Sequence, residues 1–243
     1  LVTVSSRTEK DLIRHLRIQA GIISVNHIDV NPIFKRPVTD ERSAQVLRKY
    51  HLSPGFLYFG GGLEVRKNAE GVLRAYKRLL DFRKADHTMP PVPPLVLSGK
   101  LLPHLAPLVT DVERLVRELN FSPFVRILGF VPEEDLPALY RNAKLFFFPS
   151  RYEGFGLPIL EAMNVGAPVL TSKMSSLPEV ARDAALYCHP DDIDDMARTL
   201  RSLLLSDTLQ DTLVRRGHAR AAQFSWEQFS RKLLHILTGD LSV

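Results

Sequence analysis

Residues 150–163 have the sequence SRYEGFGLPILEAM and follow an apolar run at Leu145–Phe148. The run is typical of a strand that is buried on both faces of a parallel sheet. Two glycines then predict a turn, and Pro158 suits the first helical position, where its missing N–H would have no partner. The free N–H groups of such a turn and the positive end of the helix can bind an anion. We therefore expect a strand, an anion-binding turn and a helix.

Two carboxylates flank this predicted turn, Glu153 before it and Glu161 about one turn into the helix. An anion site between two acceptors of hydroxyl groups suits a sugar joined to a nucleoside diphosphate. Acidic residues are also common in first helical turns, because they interact favourably with the helix dipole. For Glu161 alone, a solvated first-turn charge is therefore an equal alternative.

Short apolar runs alternate with helix-period segments from about residue 55 onwards, which predicts an α/β fold with a Rossmann-like, doubly wound parallel sheet. The predicted strands are Phe56–Phe59, Leu95–Leu97, Val125–Leu128, Leu145–Phe148, Val169–Leu170 and Ala185–Cys188. Three helix starts are predicted from capping residues. They are Asn68, Ser176 with Glu179 as a capping box, and Ser225 with Gln228.

The chain divides into four predicted segments. Residues 1–35 are expected to be the tail end of a second α/β domain, followed by a linker at 36–54. The main domain is predicted at 55–223 and a C-terminal helix at 224–243.

Composition narrows the classes of function. The 243 residues carry a net charge of +5 without a dense basic block, so nucleic acid is not expected as a partner. Peripheral contact with an anionic membrane remains open. The single cysteine, Cys188, fits a reducing compartment, and we expect a cytoplasmic location. The eight histidines are scattered without ligand spacing, so no metal site is predicted.

A second group of candidate residues follows the first predicted strand of the main domain. Gly61 and Gly62 lie in a turn, and Arg66 and Lys67 come just before the next helix. Ligands of open parallel sheets bind at the carboxyl ends of the strands, so these cations should face the turn at 154–157. Two cations there would stabilise a bound diphosphate. The alternative is that they are surface charges, although a helix N-terminus disfavours cations.

Two further loops are weaker candidates. Gly99 ends the second strand, where the backbone could approach a ligand closely, but a plain strand-to-loop turn explains it equally well. Val131 lies in the segment 129–132 after the third strand, which could hold a flat base or could simply pack on the core.

As a set, these motifs resemble the family 4 retaining glycosyltransferases, specifically their nucleotide-sugar-binding half. Glu153 and Glu161 match the Glu-x7-Glu motif of that family, and residues 59–68 (FGGGLEVRKN) are similar to its strand, loop and basic segment. Segments 129–132 (GFVP) and 177–180 (LPEV) also lie at matching places. The resemblance covers essentially the whole chain and implies the GT-B fold, in which two Rossmann-like domains enclose the active site.

The resemblance implies transfer of a hexosyl group from a nucleoside diphosphate sugar to a glycan or lipid-linked acceptor, with retention of configuration and without a metal or other cofactor. The implied catalytic residues are Glu153, Arg66 and Lys67. The implied substrate-binding residues are Gly61, Gly62, Gly99, Val131, Gly154, Phe155, Gly156, Leu157 and Glu161. Glu161 would hold the ribose. Two rivals are a non-catalytic nucleotide-sugar-binding domain and a GT-B sugar-nucleotide epimerase.

Three departures from the family pattern are visible. Most of the N-terminal, acceptor-binding domain is not in this chain, so we expect the chain alone to be inactive. Many members of the family have an arginine where this chain has Gly61, which would leave Arg66 and Lys67 to hold the diphosphate. Ile28 replaces a common glycine.

Overall fold

Eight strands and ten α-helices lie within residues 1–238, the part of the chain that the computed structural model describes. The strands are β1 (Val2–Thr3), β2 (Ser24–Val25), β3 (Phe56–Phe59), β4 (Leu95–Leu97), β5 (Val125–Ile127), β6 (Ala143–Phe148), β7 (Val169–Ser172) and β8 (Leu186–Cys188). The helices are α1 (Ser6–Leu16), α2 (Asp40–Lys49), α3 (Ala69–Ala85), α4 (Val112–Glu118), α5 (Leu136–Asn142), α6 (Leu157–Val165), α7 (Leu177–Ala181), α8 (Ile193–Leu204), α9 (Asp207–Ala221) and α10 (Trp226–Thr238).

Six strands form one parallel sheet in the order β5-β4-β3-β6-β7-β8. Leu57 of β3 pairs with Leu95 of β4 on one side and with Leu145 of β6 on the other. The residues of β3 and β4 are fully buried, as expected for strands that helices cover on both faces. The predicted doubly wound α/β fold is confirmed. The strand order reverses between β3 and β6, and the crevice outside the carboxyl ends of these two strands is where such sheets bind ligands.

Asn68 connects the start of α3 to the segments that follow β6 and β8. It has a left-handed backbone (φ 68°), and its side chain accepts a hydrogen bond from the N–H of Gly71, which confirms it as the N-cap of α3. Its amide also donates to the carbonyls of Pro149 (3.1 Å) and Pro190 (2.8 Å). The predicted cap of the last helix is also confirmed, since Ser225 Oγ accepts from the N–H of Gln228 at 3.0 Å.

The predicted capping box at Ser176 and Glu179 is wrong. Ser176 lies at the N-cap of α7, but its hydroxyl donates to the carbonyls of Glu153 and Phe155. The Glu179 carboxylate accepts from the N–H of Ser6 at 3.0 Å. Both side chains therefore bind distant segments, and those bonds replace the local capping bonds.

The remaining segments pack on the main sheet domain. The segment predicted as a linker, 36–54, contains α2, which is held to the buried carboxylate of Asp135 by Arg42 and Lys49, both at 2.6 Å. In residues 1–35, β1 and β2 form a separate two-stranded parallel sheet. The predicted C-terminal helix is present as α10, and the end of that prediction, residues 239–243, lies outside the described residues.

Candidate active site

A cavity of about 370 Å³ opens at the reversal point of the sheet. It is lined by residues from the β3–α3 loop, from α5, from the β6–α6 turn and from the first turns of α6, with Ile28 of the amino-terminal segment at its side. The lining residues are Ile28, Gly61, Lys67, Leu136, Tyr140, Glu153, Phe155, Gly156, Leu157, Pro158 and Glu161. The two segments that the sequence predicted to face each other therefore do so.

Glu153 is a buried carboxylate with two partners. One oxygen accepts from Arg66 at 2.8 Å, and the other accepts from the hydroxyl of Ser150 at 3.0 Å. Arg66 also donates to the carbonyl of Tyr152 at 3.1 Å. The ion pair fixes the guanidinium against the turn that follows β6, so the positive charge of Arg66 is held next to the cavity.

Lys67 lies at the end of the β3–α3 loop and is 9% exposed. Its ammonium donates to the carbonyl of Gly61, and the carboxylate of Glu64 lies 3.7 Å away. One oxygen of Glu64 is buried without a hydrogen-bond partner among residues 1–238. A phosphate in the cavity would therefore meet an ammonium that, within the described residues, is not hydrogen-bonded to a carboxylate.

Gly62 keeps this corner open. Its backbone is left-handed (φ 119°), and a Cβ there would lie 2.2 Å from a carboxylate oxygen of Glu64 and 3.1 Å from the ammonium of Lys67. Gly61 has φ 94°, and a Cβ on it would lie 3.0 Å from the ring of Pro158. Side chains at either position would therefore require backbone strain, and one at Gly62 would also crowd the Lys67 ammonium.

The β6–α6 turn presents free donors. Within the described residues, the backbone N–H groups of residues 154–157 have no protein acceptor. Gly156 has φ 119°, and a Cβ there would contact Leu177 at 3.0 Å, so the turn needs glycine at that position. Unpaired N–H groups at the start of α6 suit an anion, as the sequence predicted.

Glu161 lines the cavity and accepts a hydrogen bond from Tyr140 at 2.9 Å. Burial raises the pKa of the Glu161 carboxyl to about 7, although the Tyr140 hydrogen bond acts in the opposite direction. Burial and the neighbouring Glu161 also raise the pKa of Tyr140 well above its ordinary value, so its hydroxyl remains a donor. Glu161 is thus a largely desolvated carboxyl group with a hydrogen-bond partner, and not a solvated surface charge.

The structure brings most of the predicted site residues together. Seven of them line the cavity: Gly61, Lys67, Glu153, Phe155, Gly156, Leu157 and Glu161. Arg66 contacts Glu153, and Gly154 lies in the turn. Gly62 adjoins Lys67, and a Cβ on Gly99 would lie 3.3 Å from the backbone of Gly62. Val131 is buried and is not among the cavity-lining residues.

The sequence analysis missed two residues that hold the carboxylates. Tyr140 is a buried aromatic residue of α5, where a core role is the ordinary expectation, and Ser150 is one of many serines. The only local feature of the sequence that pointed to Ser150 was its position three residues before Glu153. The bond between Tyr140 and Glu161 joins two helices and leaves no pattern in the sequence.

Between residues 1 and 238, His, Cys, Asp and Glu side chains form no group of three that could hold a metal ion. No helix in that range is both long enough and apolar enough to cross a membrane.

Comparison with known proteins identifies the class. A model of the family described as "Glycosyl transferases group 1" matches residues 43–220. The "O-antigen chain mannosyltransferase B" of Escherichia coli is 37% identical over 236 residues, which cover 97% of this chain and 59% of that protein. A "D-inositol 3-phosphate glycosyltransferase" of Corynebacterium aurimucosum is 27% identical over 247 residues, covering 100% and 57%.

Solved structures support the same fold. A glycosyltransferase from Rickettsia africae superposes with a TM-score of 0.82 at 18% identity, covering 98% of this chain and 64% of that one. The Anabaena protein Alr3699/HepE, solved with UDP and glucose, superposes with a TM-score of 0.82 at 19% identity. The match covers 98% of this chain and 63% of that one. The fold is that of a GT-B glycosyltransferase half. The chain belongs to the glycosyl transferases group 1 family, and it spans about three fifths of the relatives named here.

Proposed function

We propose that this chain supplies the nucleoside diphosphate sugar site of a retaining glycosyltransferase. The transferred group is a hexose, and mannose is the first candidate. The acceptor is a glycan or a lipid-linked glycan of a bacterial surface polysaccharide. The observation that carries the proposal is that Lys67, the free N–H groups of residues 154–157 and the two carboxyl groups of Glu153 and Glu161 meet in one cavity. The 37% identity to an O-antigen mannosyltransferase supports the choice of sugar and acceptor.

The proposed chemistry uses fixed positive charge in place of a metal. As the bond between the anomeric carbon and the donor phosphate breaks, negative charge develops on the leaving diphosphate. In this proposal, Lys67, Arg66 and the N–H groups at the start of α6 stabilise that charge, since preorganised donors stabilise a transition state strongly. Arg66 is held in place by Glu153 at 2.8 Å.

The carboxylates have separate proposed roles. Glu153, at the turn, accepts hydroxyl groups of the transferred sugar. Glu161, beside Tyr140, accepts hydrogen bonds from the ribose hydroxyls. A donor held at the ribose, the diphosphate and the sugar presents its anomeric carbon in one position, which removes much of the orientational cost of the reaction.

Calorimetric titration tests the binding half of this proposal. GDP, UDP and ADP are titrated into the chain beside the matching nucleosides, and we expect at least one diphosphate to bind more tightly than its nucleoside. Absence of binding by all three at millimolar concentration would overturn the proposal. In a version that spans the full length of the relatives, NMR of the product should show a retained anomeric configuration. An epimerase would instead alter the donor sugar with no acceptor present.

A further inference from the structure

Three successive carbonyl groups of the β6–α6 turn, those of Glu153, Gly154 and Phe155, accept hydrogen bonds from hydroxyl groups. The Glu153 carbonyl accepts from Ser175 at 2.6 Å and from Ser176 at 2.8 Å, and Ser176 also donates to the Phe155 carbonyl at 2.6 Å. The Gly154 carbonyl accepts from two hydroxyls of the amino-terminal segment. These are Ser5 Oγ at 2.6 Å and Thr8 Oγ1 at 3.2 Å.

These bonds determine where the turn's N–H groups point. In a planar trans peptide, the C=O of one residue and the N–H of the next are fixed in opposite directions. Holding the carbonyls of residues 153, 154 and 155 therefore orients the N–H groups of residues 154, 155 and 156. Those are the donors that have no protein acceptor among the described residues. Each of these N–H groups therefore points away from the hydroxyl that binds the carbonyl of the same peptide.

The four hydroxyls come from two separate parts of the fold. Ser175 and Ser176 precede α7 in the same domain, whereas Ser5 and Thr8 belong to the start of α1, more than 140 residues away in sequence. Ser5 and Ser176 are fully buried. The same α1 start is also tied to α7, because Glu179 accepts from the N–H of Ser6 at 3.0 Å.

We propose that Ser5, Thr8, Ser175 and Ser176 form a positioning clamp that aims the turn's N–H groups at the donor phosphates, and that docking of the amino-terminal segment thereby sets phosphate affinity. The clamp rests on the proposed function, because the phosphate is its ligand. It adds that affinity for the phosphates depends on residues 5 and 8, which do not line the cavity. Contacts to the nucleoside lie elsewhere, at Glu161, and do not depend on the clamp.

Ser176→Ala tests the half of the clamp that lies within the main domain. Loss of two hydroxyl contacts should weaken binding of the diphosphate that the wild type prefers by about three- to tenfold and leave its nucleoside within about twofold. The matched control is Ser202→Ala, which removes a hydroxyl-to-carbonyl bond of 2.8 Å on the surface of α8. An equal loss for both ligands, or no loss for the diphosphate, would overturn the clamp.

The pair Thr8→Val and Thr8→Ser tests the coupling to the amino-terminal segment. Valine keeps the shape of the side chain and the backbone N–H that Ser5 caps, but it loses the hydroxyl. Serine keeps the hydroxyl. We expect Thr8→Val to weaken diphosphate binding about twofold or more, and Thr8→Ser to bind the diphosphate as the wild type does. Identical diphosphate affinities in the two variants would overturn the coupling. Failure of the wild type to bind any diphosphate would instead overturn the proposed function itself.

Discussion

Lys67 places a nearly buried positive charge beside the free N–H groups of the turn. If it binds the donor phosphates, Lys67→Ala removes a charge-assisted contact to the diphosphate and none to the nucleoside. We expect a loss of roughly 1.5–3 kcal/mol in diphosphate binding and little change for the nucleoside, measured by calorimetry. Lys144→Ala is the matched control, because Lys144 pairs with Asp207 at the surface (2.8 Å) away from the cavity. Equal losses for nucleoside and diphosphate would mean that Lys67 acts through folding.

Glu161 gives a prediction about pH. Its carboxyl has a pKa of about 7 in the folded protein, against an ordinary value of 4.5. The folded state therefore holds this proton more tightly than the unfolded state does. The resulting stabilisation is complete below about pH 4.5 and is lost as the pH rises through about 7. Between those values, the free energy of unfolding of the wild type should fall by on the order of 2 kcal/mol more than that of Glu161→Gln, as measured by urea denaturation.

The same variant tests the ribose role. Glu161→Gln replaces the carboxyl group with a neutral amide of the same shape, so the packing against Tyr140 should be preserved. Nucleotide binding should weaken while the fold stays intact. Unchanged binding would contradict the ribose role. A collapse of thermal stability together with binding would show that Glu161 is a structural residue.

At the scale of elements, Asn68 joins three segments that surround the site. Its side chain caps α3 and holds the carbonyls at the ends of β6 and β8, through Pro149 and Pro190. Asn68→Ala would leave buried carbonyls without donors. It would also keep a residue other than glycine in the left-handed region after its capping hydrogen bond has been removed. We expect it to lower the free energy of unfolding by about 2–4 kcal/mol in urea titrations.

Two comparisons make that expectation specific. Asn68→Gly keeps the left-handed backbone without strain, so it should recover part of the loss and leave the cost of the missing hydrogen bonds. Asn164→Ala removes one amide-to-carbonyl bond within α6 (2.9 Å) and should cost less than about 1.5 kcal/mol. A cost for Asn68→Ala as small as that of Asn164→Ala would contradict the joining role.

The elements that the sequence predicted well are those determined by local pattern and burial. The main-sheet strands agree with their predicted bounds within two residues, because strands buried on both faces are continuous apolar runs. The capping box at Ser176 and Glu179 failed because acceptors and donors 20 to more than 170 residues away compete for those side chains. α2 was missed within 36–54, although Thr39 caps it and Val46 is buried, because prolines before it favoured a linker.

The candidate site was also predictable only as far as local sequence patterns determine it. The two glycine turns, the cations and the carboxylates follow from sequence, since parallel strands place their carboxyl ends at one edge of the sheet. Tyr140 and the clamp hydroxyls could not be predicted, because each bonds a group on another element. Local patterns specify which groups reach the cavity, and tertiary contacts specify how those groups are held.

At the scale of the whole molecule, the cavity is lined almost entirely by residues of the main domain. Ile28 is the cavity-lining residue that precedes the main domain, and α1 touches the turn from behind through Ser5 and Thr8. The chain covers 59% of the length of its Escherichia coli relative. If the chain supplies the donor site as proposed, we expect the acceptor contacts to lie largely in the length that the relative has in addition.

Donor binding and sugar transfer should then differ in how much of the protein they require. We expect the 243-residue chain to bind its preferred nucleoside diphosphate, yet to transfer hexose to a glycan acceptor at less than about 1% of the rate of a version spanning the relatives' full length. The physical reason is that a bound donor without an aligned acceptor hydroxyl loses the advantage of proximity. Calorimetry measures the first quantity and transfer of radiolabelled sugar the second. Lys67→Ala in the longer version should reduce both. Transfer by the short chain at the full rate would show that residues 1–243 also bind the acceptor.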